Sequence, residues 1–136
     1  TYSIESTIAE KFDAILQRFE LTGRMKDFYD IYYLSRTFDF EGLKLQTAIF
    51  ETLQQRSTPH DRDSFKRVAA LADDEDMQKR WKLFLKTIKD DTLEFSLVIA
   101  EIKTFLEPVF DAIVNDDEWQ KFWDSDVVKW SIFKLK

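Results

Sequence analysis

Apolar residues recur every three to four positions over most of this chain, the spacing that places them on one face of a helix. Ile4, Ile8, Phe12, Ile15 and Phe19 form such a face, so a first helix is predicted over Ile4 to Phe19. Ser3 would be its N-cap, and Glu5 sits in the acid-favouring first turn. Glu20 to Gly23 breaks the pattern, and a second helix runs from Arg24 or Met25 to Arg36. A third opens around Asp39 to Gly42 and continues through Leu43, Ala48, Ile49 and Leu53 to about Arg56, before Pro59 and His60.

The second half continues in the same manner. Ser64 to Ala72 reads as a helix, Asp73 to Asp76 as a capped restart, and Met77 to Ile88 as a helix carrying Trp81, Phe84, Leu85 and Ile88. After a break at Asp90 to Thr92 comes the longest segment, Leu93 to about Val114, which Pro108 is expected to kink or to divide. An aromatic tail, Glu118 to Phe133, closes the pattern with Trp119, Phe122, Trp123, Trp130 and Phe133. The expected fold is all-α: one compact bundle of about six or seven helices, residues 1–136, with an aromatic-rich C-terminal tail.

Composition agrees. At 136 residues with 44% hydrophobic content and thirteen Phe, one sizeable core can be buried, and two Gly with two Pro leave long uninterrupted segments. No Cys excludes disulfides and thiolate metal sites, and fits a cytoplasmic protein. No apolar run approaches a membrane span. A net charge of −6 disfavours general gripping of nucleic acid, which needs a basic footprint. The start at Thr1, already entering a helical pattern, suggests a piece of a longer protein.

Charged residues lie where a plain helical core would want apolar ones. Lys11 and Arg18 stand on the shoulder of the first apolar face, while Asp27 shares its face with Ile31 and Leu34, flanked by Arg24 and Asp30. Charges at such an edge lose hydration unless something pairs with them. Lys11 is either a snorkelling side chain or a cation aimed at an anionic ligand. Asp27 and Asp30, three apart, are either an exposed acid pair or carboxylates that orient Lys11 or meet a substrate hydroxyl. Helical arithmetic does not separate these readings. His60 has no second His or Cys for a metal site and reads as a surface residue; Asp61 to Asp63 and Asp124 to Asp126 read as helix-start or loop acids. No phosphate-binding Gly loop, zinc-protease or nucleophile-elbow motif is present.

Two segments resemble a known family. Tyr2-Ser3-Ile4-Glu5 leading into Ile8-Ala9-Glu10-Lys11, with Ala14 and Arg18, looks like the third motif of the AbiEii/AbiGii nucleotidyltransferase toxins, in the polymerase-beta-like nucleotidyltransferase superfamily. Arg24-Met25-Lys26-Asp27-Phe28-Tyr29-Asp30-Ile31-Tyr32 looks like the fourth. Ala48 to Thr52, Arg56 to Pro59, Trp81 to Phe84 and Phe105 to Pro108 are similar to weaker features of the same C-terminal half. The resemblance implies that Lys11 contacts nucleotide phosphates and Asp27 supports catalysis, with Arg24, Asp30 and Arg18 as substrate-binding neighbours and no metal ligand among them.

The family's first two motifs, a Gly-rich turn after a strand and the acids that bind Mg2+, do not occur in this sequence. The resemblance therefore implies a helical C-terminal domain whose site an N-terminal nucleotidyltransferase domain completes, bringing Mg2+ and a nucleoside triphosphate; the chain alone is expected to be inactive. It further implies an RNA substrate, a transfer RNA acceptor end by preference, and a cognate antitoxin. The contrasting reading is a non-catalytic interaction module that docks a protein through exposed Trp119, Trp123 and Trp130.

Overall fold

A computed structural model describes residues 3–17 and 24–134. Six α-helices account for most of them: α1 (Ile4–Leu16), α2 (Met25–Thr37), α3 (Gly42–Gln55), α4 (Ser64–Ala70), α5 (Glu75–Ile88) and α6 (Phe95–Val114). A 3-10 turn, Leu71–Asp73, joins α4 to α5. The all-α expectation therefore holds for the bulk of the fold. No helix among the described residues is long and apolar enough to cross a membrane.

Local chemistry sets the helix ends. The Ser3 hydroxyl accepts the Ser6 N–H at 3.0 Å and caps α1, while Asp74 accepts the Met77 N–H at 3.0 Å and caps α5. α5 stops where Lys89 turns left-handed at φ 56°, its N–H donating to the Leu85 carbonyl. α6 runs unbroken through Pro108, so the proline does not divide it. It is also the most apolar helix, with Phe95, Val98, Ile102, Phe105, Leu106, Val109 and Phe110 all buried.

α6 is consequently the axis of the core. Phe110 meets Phe12 of α1 edge to face at 5.9 Å and Phe65 of α4 at 6.2 Å. Phe95 packs at 5.4 Å on Phe28 of α2 and at 5.3 Å on Trp81 of α5. Trp81 also donates its indole N–H to the Leu93 carbonyl at 2.8 Å, which ties α5 to the loop before α6. α1 lies along both α2 and α3, so the three form one flank of the bundle.

The aromatic tail departs from the sequence reading. β2 (Phe122–Asp124) and β3 (Lys129–Ser131) form an antiparallel hairpin, and β2 pairs in turn with β1 (Phe40–Glu41) just before α3. Asp124 to Asp126, read from sequence as helix-start or loop acids, lead into the hairpin turn: Val128 N–H donates to the Asp124 carbonyl at 2.8 Å, and Asp39 accepts from Ser125 N–H at 2.8 Å. Trp123 is fully buried between Phe105 and Trp130, and its indole N–H donates to the Ser35 carbonyl at 2.6 Å. Trp130 donates to the Phe105 carbonyl at 2.9 Å. Trp119 and Trp130 are partly buried against the core. Trp123 is thus part of the core, and the partial burial of Trp119 and Trp130 weakens the alternative reading in which all three indoles are exposed for docking. Gly42 allows this packing, since a Cβ there would lie 2.6 Å from both the Lys121 and Trp119 carbonyl oxygens.

Candidate active site cleft

Lys11 leaves α1 on the side facing α2, with its side chain about one fifth exposed, at 22%. There it meets both acids. Nζ lies 2.9 Å from Asp30 Oδ2 and 3.5 Å from Asp27 Oδ1. One helical turn puts the two carboxylates side by side on α2, and the α1–α2 packing brings the ammonium between them. Lys26 closes on Asp30 from i−4 at 2.6 Å, and Arg24 approaches Asp27 from i−3 at 3.8 Å. Four of the five residues singled out from sequence are therefore neighbours. The fifth, Arg18, lies outside the described residues.

The two acids are used differently. Asp30 takes both short contacts; Asp27 takes only the long ones. Burial of Lys11 acts to lower its pKa, but the hydrogen bond and charge of Asp30, then the charge of Asp27, outweigh it and hold the ammonium above its ordinary 10.5. Burial likewise acts to raise the Asp30 pKa, and bonds from Lys26 and Lys11 reverse this, leaving the carboxyl below its ordinary 3.8. Both groups are ionised across the neutral range.

A concavity of ≈ 270 Å³ opens beside this cluster, lined by Glu10, Lys11, Asp13, Gln17, Arg24, Asp27 and Arg56 among others. Asp27 lines it and Asp30 does not. A larger hollow of ≈ 520 Å³ lies between the starts of α1 and α3, where Glu5, Glu41 and Glu51 accompany Lys44. Volume favours the second, but the convergent cations and the less-engaged carboxylate lie in the first, which is where anion chemistry can occur.

Sequence reasoning missed the far wall of the smaller cleft. Asp13 is buried, at 2% exposure, and accepts from the Thr58 hydroxyl and from the Gln17 side-chain amide at 2.8 Å. Arg56, at the end of α3, reaches back to α1, placing Nη2 2.6 Å from Glu10 Oε1 and Nε 3.7 Å from Asp13 Oδ2. The signal was present in α1: Asp13 falls between Ala9 and Leu16 on the buried arc, where an acid requires partners. His60 is half-buried rather than surface, with its ring 5.8 Å from Phe110 and Nδ1 3.0 Å from the Thr58 carbonyl.

Counting the lining, Lys11, Arg24 and Arg56 balance Glu10, Asp13 and Asp27, so the described cleft is charge-neutral. A polyanion gains little there until further positive charge is added. The carboxylates themselves do not fit a Mg2+ site: no group of three or more His, Asp or Glu placed to hold a metal occurs among the described residues, and each site acid already faces a cation.

Comparison with known proteins gives one finding. The family model for the nucleotidyl transferase AbiEii toxin of type IV toxin–antitoxin systems matches residues 1–116. No curated protein and no solved structure matches the chain.

Proposed function

The chain belongs to the AbiEii family of nucleotidyltransferase toxins, and from that premise we propose that it is the helical C-terminal part of an enzyme that transfers a nucleotide to RNA, a transfer RNA acceptor end by preference. In such a transfer a ribose hydroxyl oxygen bonds to the α-phosphorus of a nucleoside triphosphate. The bond to the β-phosphate oxygen breaks, pyrophosphate leaves, and the hydroxyl proton passes to a base. Lys11 supplies a point charge to the phosphate oxygens, where charge builds up. Asp27 steadies that ammonium and, having the loosest contacts of the α2 acids, keeps acceptor capacity for the substrate hydroxyl. Asp30 holds Lys11 in place; Arg24 and Arg18 extend the positive rim.

The supporting observation is the meeting of Lys11 with Asp27 at the edge of the α1–α2 cleft. The neutrality of that cleft fits a shared site, in which an N-terminal nucleotidyltransferase domain contributes Mg2+ ligands and the remaining positive charge. The protein in this reading works in the cytoplasm and is restrained by a cognate antitoxin. Incubating the full-length protein with labelled nucleoside triphosphates, Mg2+ and transfer RNA tests it. Label transfer that is lost in Lys11→Ala and Asp27→Ala supports the assignment. Normal transfer by both variants overturns it.

A further inference from the structure

We infer that Arg56 is a second phosphate-binding residue of the cleft, facing Lys11 across α1 and engaging the phosphate chain of the nucleotide; this rests on the function proposed above. The backbone fixes where Arg56 points. It is the C-cap of α3, and Ser57 follows in the left-handed region at φ 50°, which turns the chain back. Ser57 N–H donates to the Gln54 carbonyl at 3.2 Å and Thr58 N–H to the Leu53 carbonyl at 3.1 Å, closing that turn. The Thr58 hydroxyl then donates to buried Asp13, so the α3 terminus is fastened to α1 one residue pair away from the guanidinium.

A structural staple alone leaves this arrangement underused. Asp13 is already satisfied by Thr58 and Gln17, and Arg56 Nε at 3.7 Å is beyond hydrogen-bond reach of it. Of the five guanidinium donors, the one close contact among the described residues is to Glu10, and half the side chain, 52%, remains exposed while lining the cleft. A planar fork with spare donors matches phosphate oxygens better than an ammonium does. The bond from the Thr58 hydroxyl to Asp13 holds the turn that carries Arg56.

The test is steady-state nucleotide transfer by the full-length protein, varying nucleoside triphosphate and transfer RNA separately. Arg56→Ala should raise the nucleotide KM by about 10- to 100-fold with the RNA KM unchanged, the loss expected for one charged hydrogen-bonding partner. Arg56→Lys keeps the charge and loses the fork, so its KM should fall between the two. Glu10→Gln breaks the ion pair, keeps the guanidinium and removes a negative charge from the cleft, and should lower the nucleotide KM. If Arg56→Ala does not fold, Arg56→Gln, which retains a donor to Glu10, takes its place, with thermal melting as the control. An unchanged nucleotide KM in Arg56→Ala, a rise confined to RNA, or equal effects of Arg56→Ala and Glu10→Gln would overturn the inference. Should Lys11→Ala lose transfer while Arg56→Ala keeps its nucleotide KM, only Arg56 is reassigned. Should Lys11→Ala and Asp27→Ala also transfer normally, the reading of the cleft fails and Arg56 with it.

Discussion

Removing the Lys11 ammonium while keeping its stem, as in Lys11→Met, should uncouple α1 from α2 by an amount set by the Asp30 contact. The charges lie 2.9 Å apart with both side chains about four-fifths covered, so attraction is stronger than on an open surface. Desolvation and the competing Lys26 contact at 2.6 Å reduce the net value. A coupling of about 1 kcal/mol is expected between positions 11 and 30, equivalent to roughly 3–5 °C in Tm for a chain of this size. Urea unfolding of wild type, Lys11→Met, Asp30→Asn and the double variant isolates it. The pH dependence follows from the shifts. Asp30 is held below its ordinary 3.8, so its share is present above that pH and disappears as pH falls through the depressed folded value. Lys11 is held above 10.5, so its share is present below that pH and disappears as pH rises through the elevated folded value. High salt should shrink the coupling as well. A coupling under about 0.3 kcal/mol at neutral pH and low salt, or one that persists unchanged at about pH 2, would refute the geometry.

Two further outcomes concern the packing of the hairpin. Gly42→Ala forces a Cβ to within 2.6 Å of the Trp119 and Lys121 carbonyl oxygens just before β2, so a loss of about 2 kcal/mol or more is expected, with a red shift in tryptophan emission as the hairpin lifts. Wild-type stability and emission would contradict the packing. Trp123→Phe deletes the N–H donated to the Ser35 carbonyl at 2.6 Å and part of a fully buried ring, and should cost about 1–3 kcal/mol by chemical denaturation. A neutral result would mean that the indole is not buried as described.

Most helices were legible because each carries its own apolar stripe and caps: Ser3, Asp74 and the Met77, Trp81, Leu85 spacing are local signals. The hairpin was not. Its strands are three residues long, too short for alternation to register, and its turn depends on Asp39, 86 residues away from Ser125. Aromatic residues at mixed spacing were consequently read as a tail. The same division holds at the site. Lys11, Asp27 and Asp30 could be picked out because they interrupt apolar faces and match family motifs. Arg56 and Thr58 stood out in sequence only as part of a weaker family feature at a helix end, with no role attached, and only the packing of α3 along α1 brings them to Asp13 and Glu10. Pro108 looked like a helix divider from sequence, yet α6 continues through it.

The central claim is that Lys11 and Asp27 act as one unit on a phosphate-bearing substrate, and a double-mutant cycle on kcat/KM for nucleotide transfer to RNA tests it most directly. Lys11→Ala and Asp27→Ala should each lower kcat/KM by about 100-fold or more, and the double variant should be little worse than either single one. Near-normal transfer by either single variant, or losses that multiply as independent effects, would contradict it.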